Sequence, residues 1–160
     1  MADQVLAPPA FLASLKTWVW PTAHLPGAWF AWSEALQTVA AGALVLQLVG
    51  LCKARKTGHA LPQSALGLAL LAQTAAMLLA GLGAQGTWGA YWSWDPLECW
   101  RLLAWLALLA TSWGARGLGW GRRRAIWATA VTLVILLISW WGAPPLLRWL
   151  GLSSLYLAGW

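Results

Sequence analysis

Histidine and cysteine are both scarce in this chain of 160 residues, with two of each, and only four residues are acidic. Two cysteines cannot supply a disulfide framework. Cys52 follows an apolar stretch beside a basic cluster and Cys99 lies in a tryptophan-rich segment, so the two are expected near opposite faces of a membrane, too far apart to pair. The order and spacing of residues offer no Ser/His/Asp arrangement, phosphate-binding glycine loop or zinc-ligand spacing that would support catalysis by the protein itself. A cleavable signal peptide is not expected either, because Asp3 stands where a basic flank should be and Pro8 and Pro9 interrupt any early apolar core. What the chain has instead is apolar surface: 61% hydrophobic residues, 9% charged residues and sixteen tryptophans. With a mean hydropathy of +0.64 this is the composition of an integral membrane protein.

The chain reads as an all-α membrane protein with about four transmembrane helices and a short interfacial helix at each end. Residues 1–28 form an outer interfacial segment, in which Phe11, Leu12, Leu15, Trp18 and Val19 recur at helical spacing before Pro21 and Pro26 break the chain. A membrane domain follows over residues 29–144. Trp29 to Cys52 is long enough to cross ~30 Å of hydrocarbon at ~1.5 Å per residue. Leu61 to Ala84 returns, Leu97 to Gly114 crosses again, and Ala125 to Gly142 is the fourth span, expected to stop at Pro144-Pro145. Residues 145–160 then lie along the outer interface.

Seven of the ten basic residues (Lys53, Arg55, Lys56, Arg116, Arg122, Arg123 and Arg124) fall in the two loops that join spans one to two and three to four. The positive-inside rule makes those loops cytoplasmic, which puts both termini and the loop before span three outside. The net charge of +6 therefore has a topological origin, and Arg122-Arg123-Arg124 is a membrane flank rather than a nucleic-acid patch. No nucleic-acid partner is expected.

The most ordered stretch is Gly86 to Trp105, GTWGAYWSWDPLECWRLLAW, with its outer loop at residues 86–100. Asp95-Pro96-Leu97-Glu98 is a helix start: Asp95 is the N-cap, Pro96 the first helical position, and Glu98 the third, where an acid also suits the positive end of the dipole. Tryptophans collect at membrane interfaces in any order. Here, however, Trp88-Gly89-x-x-Trp92-x-Trp94-Asp95-Pro96 is dense and ordered, which suits a flat aromatic platform better than scattered anchors.

This segment closely resembles the tryptophan-rich signature of the cytochrome c assembly family, the CcsA, CcmF and CcmC haem-handling membrane proteins. Trp88, Gly89, Tyr91, Trp92, Trp94, Asp95, Pro96, Glu98 and Trp100 sit where that signature has them. Leu97 replaces its usual basic residue and Cys99 its usual small hydroxyl residue. The resemblance implies an outward haem platform, a place in the bacterial inner membrane, and apocytochrome c and other membrane subunits as partners. Family members are longer, so the chain is expected to be a minimal member or one part of an assembly.

Haem requires aromatic or apolar contact for the macrocycle, cations or donors for the propionates, and axial ligands for iron. The tryptophan segment offers the first. Arg101 is the candidate for the second, or else it forms an ion pair with Glu98 three residues back on the same helix. For the third, the resemblance implies histidines in outward loops on both sides of the tryptophans. His24 precedes span one on the outer side and is the single candidate iron ligand, since His59 falls in a cytoplasmic loop. After the motif Trp113 stands where a span histidine is expected, and Ser153-Ser154 where the second outward histidine would come. Cys99 and Met77 are chemically possible substitutes. The alternative from another class is a small accessory subunit that keeps the motif but has lost the ligands, contacting another flat or lipidic cofactor. Glu34 is expected either at the wet interface or paired with Arg101, and Gln37, Gln47 and Gln73 to hydrogen-bond between helices.

The topology is checked by single cysteines placed at Gly121 and at Gly89 in a Cys52/Cys99-free background. A membrane-impermeant maleimide should reach the second but not the first from outside. Labelling of both from one side rules out the four-span arrangement.

Overall fold

A computed structural model describes residues 26–57, 64–152 and 154, and these are helical apart from short connections, with no strand among them. Four long helices form the body: α1, Pro26–Thr57; α2, Ser64–Trp88; α3, Pro96–Arg116; and α4, Arg122–Leu137. A π-helical turn, Ile138–Gly142, and a short α5, Ala143–Trp149, carry on from α4. Each of the four long helices packs against two others, α1 on α2 and α4, α3 on α2 and α4, so the bundle closes on itself. Adjacent helices in the chain run antiparallel, as short connections require. The fold is an all-α membrane protein. Ala28–Lys53, Ser64–Trp88 and Arg122–Trp149 are long and apolar enough to cross a membrane. At 21 residues α3 also reaches ~30 Å, but it carries Glu98, Arg101 and Arg116 and is not among these three.

The α1–α2 pair is the most extensive contact in the bundle. On α1 the buried residues Ser33, Gln37, Ala40, Leu44, Gln47 and Leu51 recur in steps of four and three, and on α2 so do Leu66, Ala69, Gln73, Ala76, Ala80 and Gly83. Alternating steps average ~3.5 residues, the period that keeps two helices in contact along a left-handed seam. Alanine and glycine predominate on the α2 side, which lets the backbones approach closely. Ser33 Oγ accordingly donates to the carbonyl of Ala76 at 2.8 Å. Toward the C-terminal end of α2, a Cβ built on Gly83 would lie 2.9 Å from Cε1 of Phe30. The glycine is what admits that ring. Polar ties recur around the bundle: Trp105 Nε1 donates to Thr74 Oγ1 at 2.9 Å, and the hydroxyls of Thr111 and Thr132 share a bond of 2.8 Å. Gln37 and Gln73 are buried, but neither finds a hydrogen-bond partner among the described residues, nor does Gln47 Oε1, contrary to the expectation of interhelical bonds.

One other expectation changes. Pro144-Pro145 does not stop the fourth span: the helical path continues to Trp149. The reason is the π-turn just before it, whose wider ladder interrupts the α-helical register, so that the prolines fall in the first positions of a restarted helix, where missing N–H groups cost nothing. Leu147 is buried and packs with Ala143, Leu97 and Trp100 against the start of α3.

Gly83→Leu should force Phe30 and the two backbones apart at that end of the α1–α2 seam, costing about 1–3 kcal/mol by the usual cost of overpacking. Denaturation in mild detergent measures it. Gly42→Leu, where a Cβ meets nothing within 4 Å, is the matched control and should change little.

Candidate functional site

The site begins where α2 ends. Gly89 follows Trp88 with φ +79, a conformation that L side chains rarely adopt, and turns the chain back across the end of α2. There the Tyr91 carbonyl oxygen lies close enough to Gly81 that a Cβ on that glycine would be 3.2 Å away. The loop runs from residue 89 to 95 and delivers the chain into α3.

The helix start is as the sequence implies. Asp95 is the N-cap, its Oδ1 accepting from the Leu97 N–H at 2.9 Å, and Pro96 opens the helix. Glu98 reaches back in a capping box, its Oε2 accepting from the Asp95 N–H at 3.3 Å. The same Oε2 also accepts from the Ser93 N–H at 2.8 Å and the Ser93 hydroxyl at 3.2 Å. Both carboxylates are buried, Asp95 at 6% and Glu98 at 2% exposure. Buried acids are tolerated because donors surround them.

These bonds determine what Trp94 does. The N–H groups on either side of it, those of Ser93 and Asp95, converge on one carboxylate oxygen, and Trp94 between them adopts φ +56. Trp94 alone among the described non-glycine residues has a positive φ, a conformation costing on the order of 1 kcal/mol for a bulky side chain. The ring is left 72% exposed. Tyr91 is exposed beside it in sequence, while Trp92 meets Trp94 edge to face, with centroids 5.8 Å apart and planes at 89°.

Trp88 is used differently. It stacks on Phe30 of α1 at 5.9 Å and 19°, so it anchors the loop to the bundle. The tryptophans therefore do not make one flat sheet, and the exposed aromatic surface is that of Tyr91 and Trp94, flanked by Trp92. Behind it a narrow crevice is lined by Met77, Ala80 and Gly81 of α2, Tyr91 and Trp92 of the loop, and Glu98 and Arg101 of α3. Arg101 thus faces the same crevice as the platform residues. Trp100 is half-buried in the contact with α5, and Glu34 is exposed, which favours its wet-interface reading.

His24, the candidate iron ligand, and His59 lie outside the described residues. So does Ser153. Cys99 is exposed on the first turn of α3, its thiol 3.8 Å from the Trp94 carbonyl oxygen, and Cys52 is exposed toward the opposite end of the bundle, so the two are unpaired as expected. No group of three or more His, Cys, Asp or Glu side chains able to hold a metal occurs among the described residues.

Two participants were not singled out from the sequence as partners of the cap. Ser93 gives Glu98 two donors. Ser154, 59 residues downstream, donates its hydroxyl to Asp95 Oδ1 at 2.8 Å. The fixed spacing Ser93-x-Asp95-x-x-Glu98 was a local signal for the first. Nothing local signals the second.

If capping is the role of Asp95, Asp95→Asn should be nearly neutral, because the amide oxygen accepts both bonds, whereas Asp95→Ala should cost about 0.5–2 kcal/mol. Ser154→Ala should lose about 0.5–1.5 kcal/mol through the same oxygen. A double-mutant cycle on unfolding in detergent checks the pair: additive effects would mean the two side chains do not interact.

No family model matches the chain, and no solved structure does. Several proteins named cytochrome c biogenesis protein CcsA do. That of Nostoc punctiforme is 39% identical over 71 residues, 44% of this chain and 20% of the relative. That of Parasynechococcus marenigrum is 28% identical over 109 residues, 68% of this chain and 35% of the relative. That of Synechococcus elongatus is 42% identical over 65 residues, 40% of this chain and 20% of the relative. The matched stretch thus spans between a fifth and about a third of these proteins' length. Over that part, the chain resembles the CcsA-type cytochrome c biogenesis proteins.

Proposed function

We propose that the chain is a haem-handling membrane protein of the cytochrome c assembly type, which presents haem at residues 86–100 on the outer side of a bacterial cytoplasmic membrane. The observation that carries this reading is Trp94, a bulky ring held exposed on a strained backbone by a buried carboxylate. A capped helix under an aromatic belt has no use for that strain. Strained residues gather where function requires a side chain to be aimed.

The residues present suit a haem in two of its three requirements. The exposed faces of Trp94 and Tyr91 offer apolar contact for the macrocycle, and Arg101, in the crevice behind them, offers a cation for a propionate. Trp92 and Gly89 shape the loop, and Trp88 ties it to α1. Asp95, Pro96 and Glu98 act by fixing the backbone. His24 is assigned to the iron, with the second axial position left to another group or to a partner. Haem here is cargo on its way to apocytochrome c, and the protein's part is to hold and orient it. The similarity to proteins named for cytochrome c biogenesis supports the process. Other membrane subunits are the expected partners.

The test is purification in mild detergent followed by an absorption spectrum. The chain should carry haem, and Trp94→Ala should weaken retention roughly three- to tenfold, the scale of one lost aromatic contact. His24→Ala should convert or abolish the spectrum, and His59→Ala should leave it unchanged. A haem-free chain whose complex assembles normally with His24→Ala would sink this reading and leave an accessory subunit in its place.

A further inference from the structure

A second opening lies at the other end of the bundle, at the turn from α3 to α4. It is an open cavity of about 420 Å³ lined by Trp120, Arg123, Arg124, Trp127 and Ala128. Its Trp120 wall is held in place. The Trp120 N–H donates to the Gly114 carbonyl at 3.1 Å, and the indole lies over Gly114 so closely that a Cβ there would come within 2.5 Å of Cε2. Gly119, with φ +57, provides the turn. Opposite, Arg123, Arg124 and Trp127 are exposed on the first turns of α4, the last at 65%. The N-cap is Gly121, which has no side chain to satisfy the first-turn N–H groups.

We propose that this cavity binds the phosphate-bearing headgroup of an anionic phospholipid. Two guanidinium groups and a helix start complement a phosphate, and planar guanidinium forks bind its oxygens in pairs. Basic pockets beside transmembrane helices on the cytoplasmic side are suited to such headgroups. A topological flank requires charge alone, for which lysines would serve equally, and it requires neither a cavity nor rings. The indoles decide between a lipid and free phosphate. Trp127 and Ala128 sit one turn along an apolar span, so the outer wall of the cavity continues into hydrocarbon, where a lipid's glycerol and chains would lie.

The proposal is tested on the full chain in detergent by native mass spectrometry after mixing with equal amounts of phosphatidylglycerol and phosphatidylcholine. Phosphatidylglycerol should be retained about tenfold more, and R123Q/R124Q should remove that preference. R55Q/K56Q, with the same loss of charge in the other basic loop, should leave it within about twofold. Trp127→Leu keeps every charge, and so the topology, and should lower phosphatidylglycerol retention about threefold. Equal retention of the two lipids, or an equal loss in R55Q/K56Q, would overturn the proposal. So would displacement of phosphatidylglycerol by inorganic phosphate that is itself retained, which would make the site one for free phosphate.

Discussion

One carboxylate oxygen organises the end of the bundle where α2 passes into α3. Glu98 Oε2 collects the N–H groups of Ser93 and Asp95 and the hydroxyl of Ser93, and in doing so it folds the peptide around Trp94 into a left-handed turn. A carboxylate at 2% exposure is stable only with its lone pairs occupied, so the loop cannot relax without stranding a buried charge. The loop conformation and the helix start therefore stand or fall together. A lesser acceptor, such as a hydroxyl, would cap α3 but would not hold three donors at once.

Below this end, close backbone approach at alanine and glycine joins buried leucines such as Leu44, Leu66, Leu108 and Leu136 in holding the bundle. The alanine-rich face of α2 and Gly83 bring α1 within reach of a Ser33-to-backbone bond, and the threonines of α3 and α4 play the same part across the bundle. In a membrane this is the available strategy, since lipid tails compete with any leucine contact. The large apolar side chains Leu46, Leu71, Leu78, Val131 and Val134 accordingly face outward. The two wet ends differ in chemistry: acids and aromatics at one, arginines and aromatics at the other.

The helices were legible in the sequence because apolar length and turn residues fix them, with ends within a few residues of those observed. The capping box at Asp95 was legible for the same reason, as Asp95 and Glu98 lie within four residues. The continuation past Pro144 was not, because the rule that proline ends a helix assumes α-helical register, and the π-turn at Ile138–Gly142 removes that assumption without a sequence mark. The flat platform failed on a similar point. Spacing says which residues share a loop, but ring orientation is settled by neighbours such as Phe30, which takes Trp88, and by the edge-to-face contact of Trp92 with Trp94. Ser154 was out of reach because its partner is set by how the end of the bundle folds over α3.

That last bond has a consequence for how the protein is made. Asp95 Oδ1 holds the first turn of α3 through a neighbour two residues away, but its second donor is synthesised 59 positions later. Between them the chain must pass through α3, the basic turn and all of α4. During that interval Asp95 lacks the bond from Ser154. The last tie on the start of α3 is thus made only after the rest of the bundle has been synthesised.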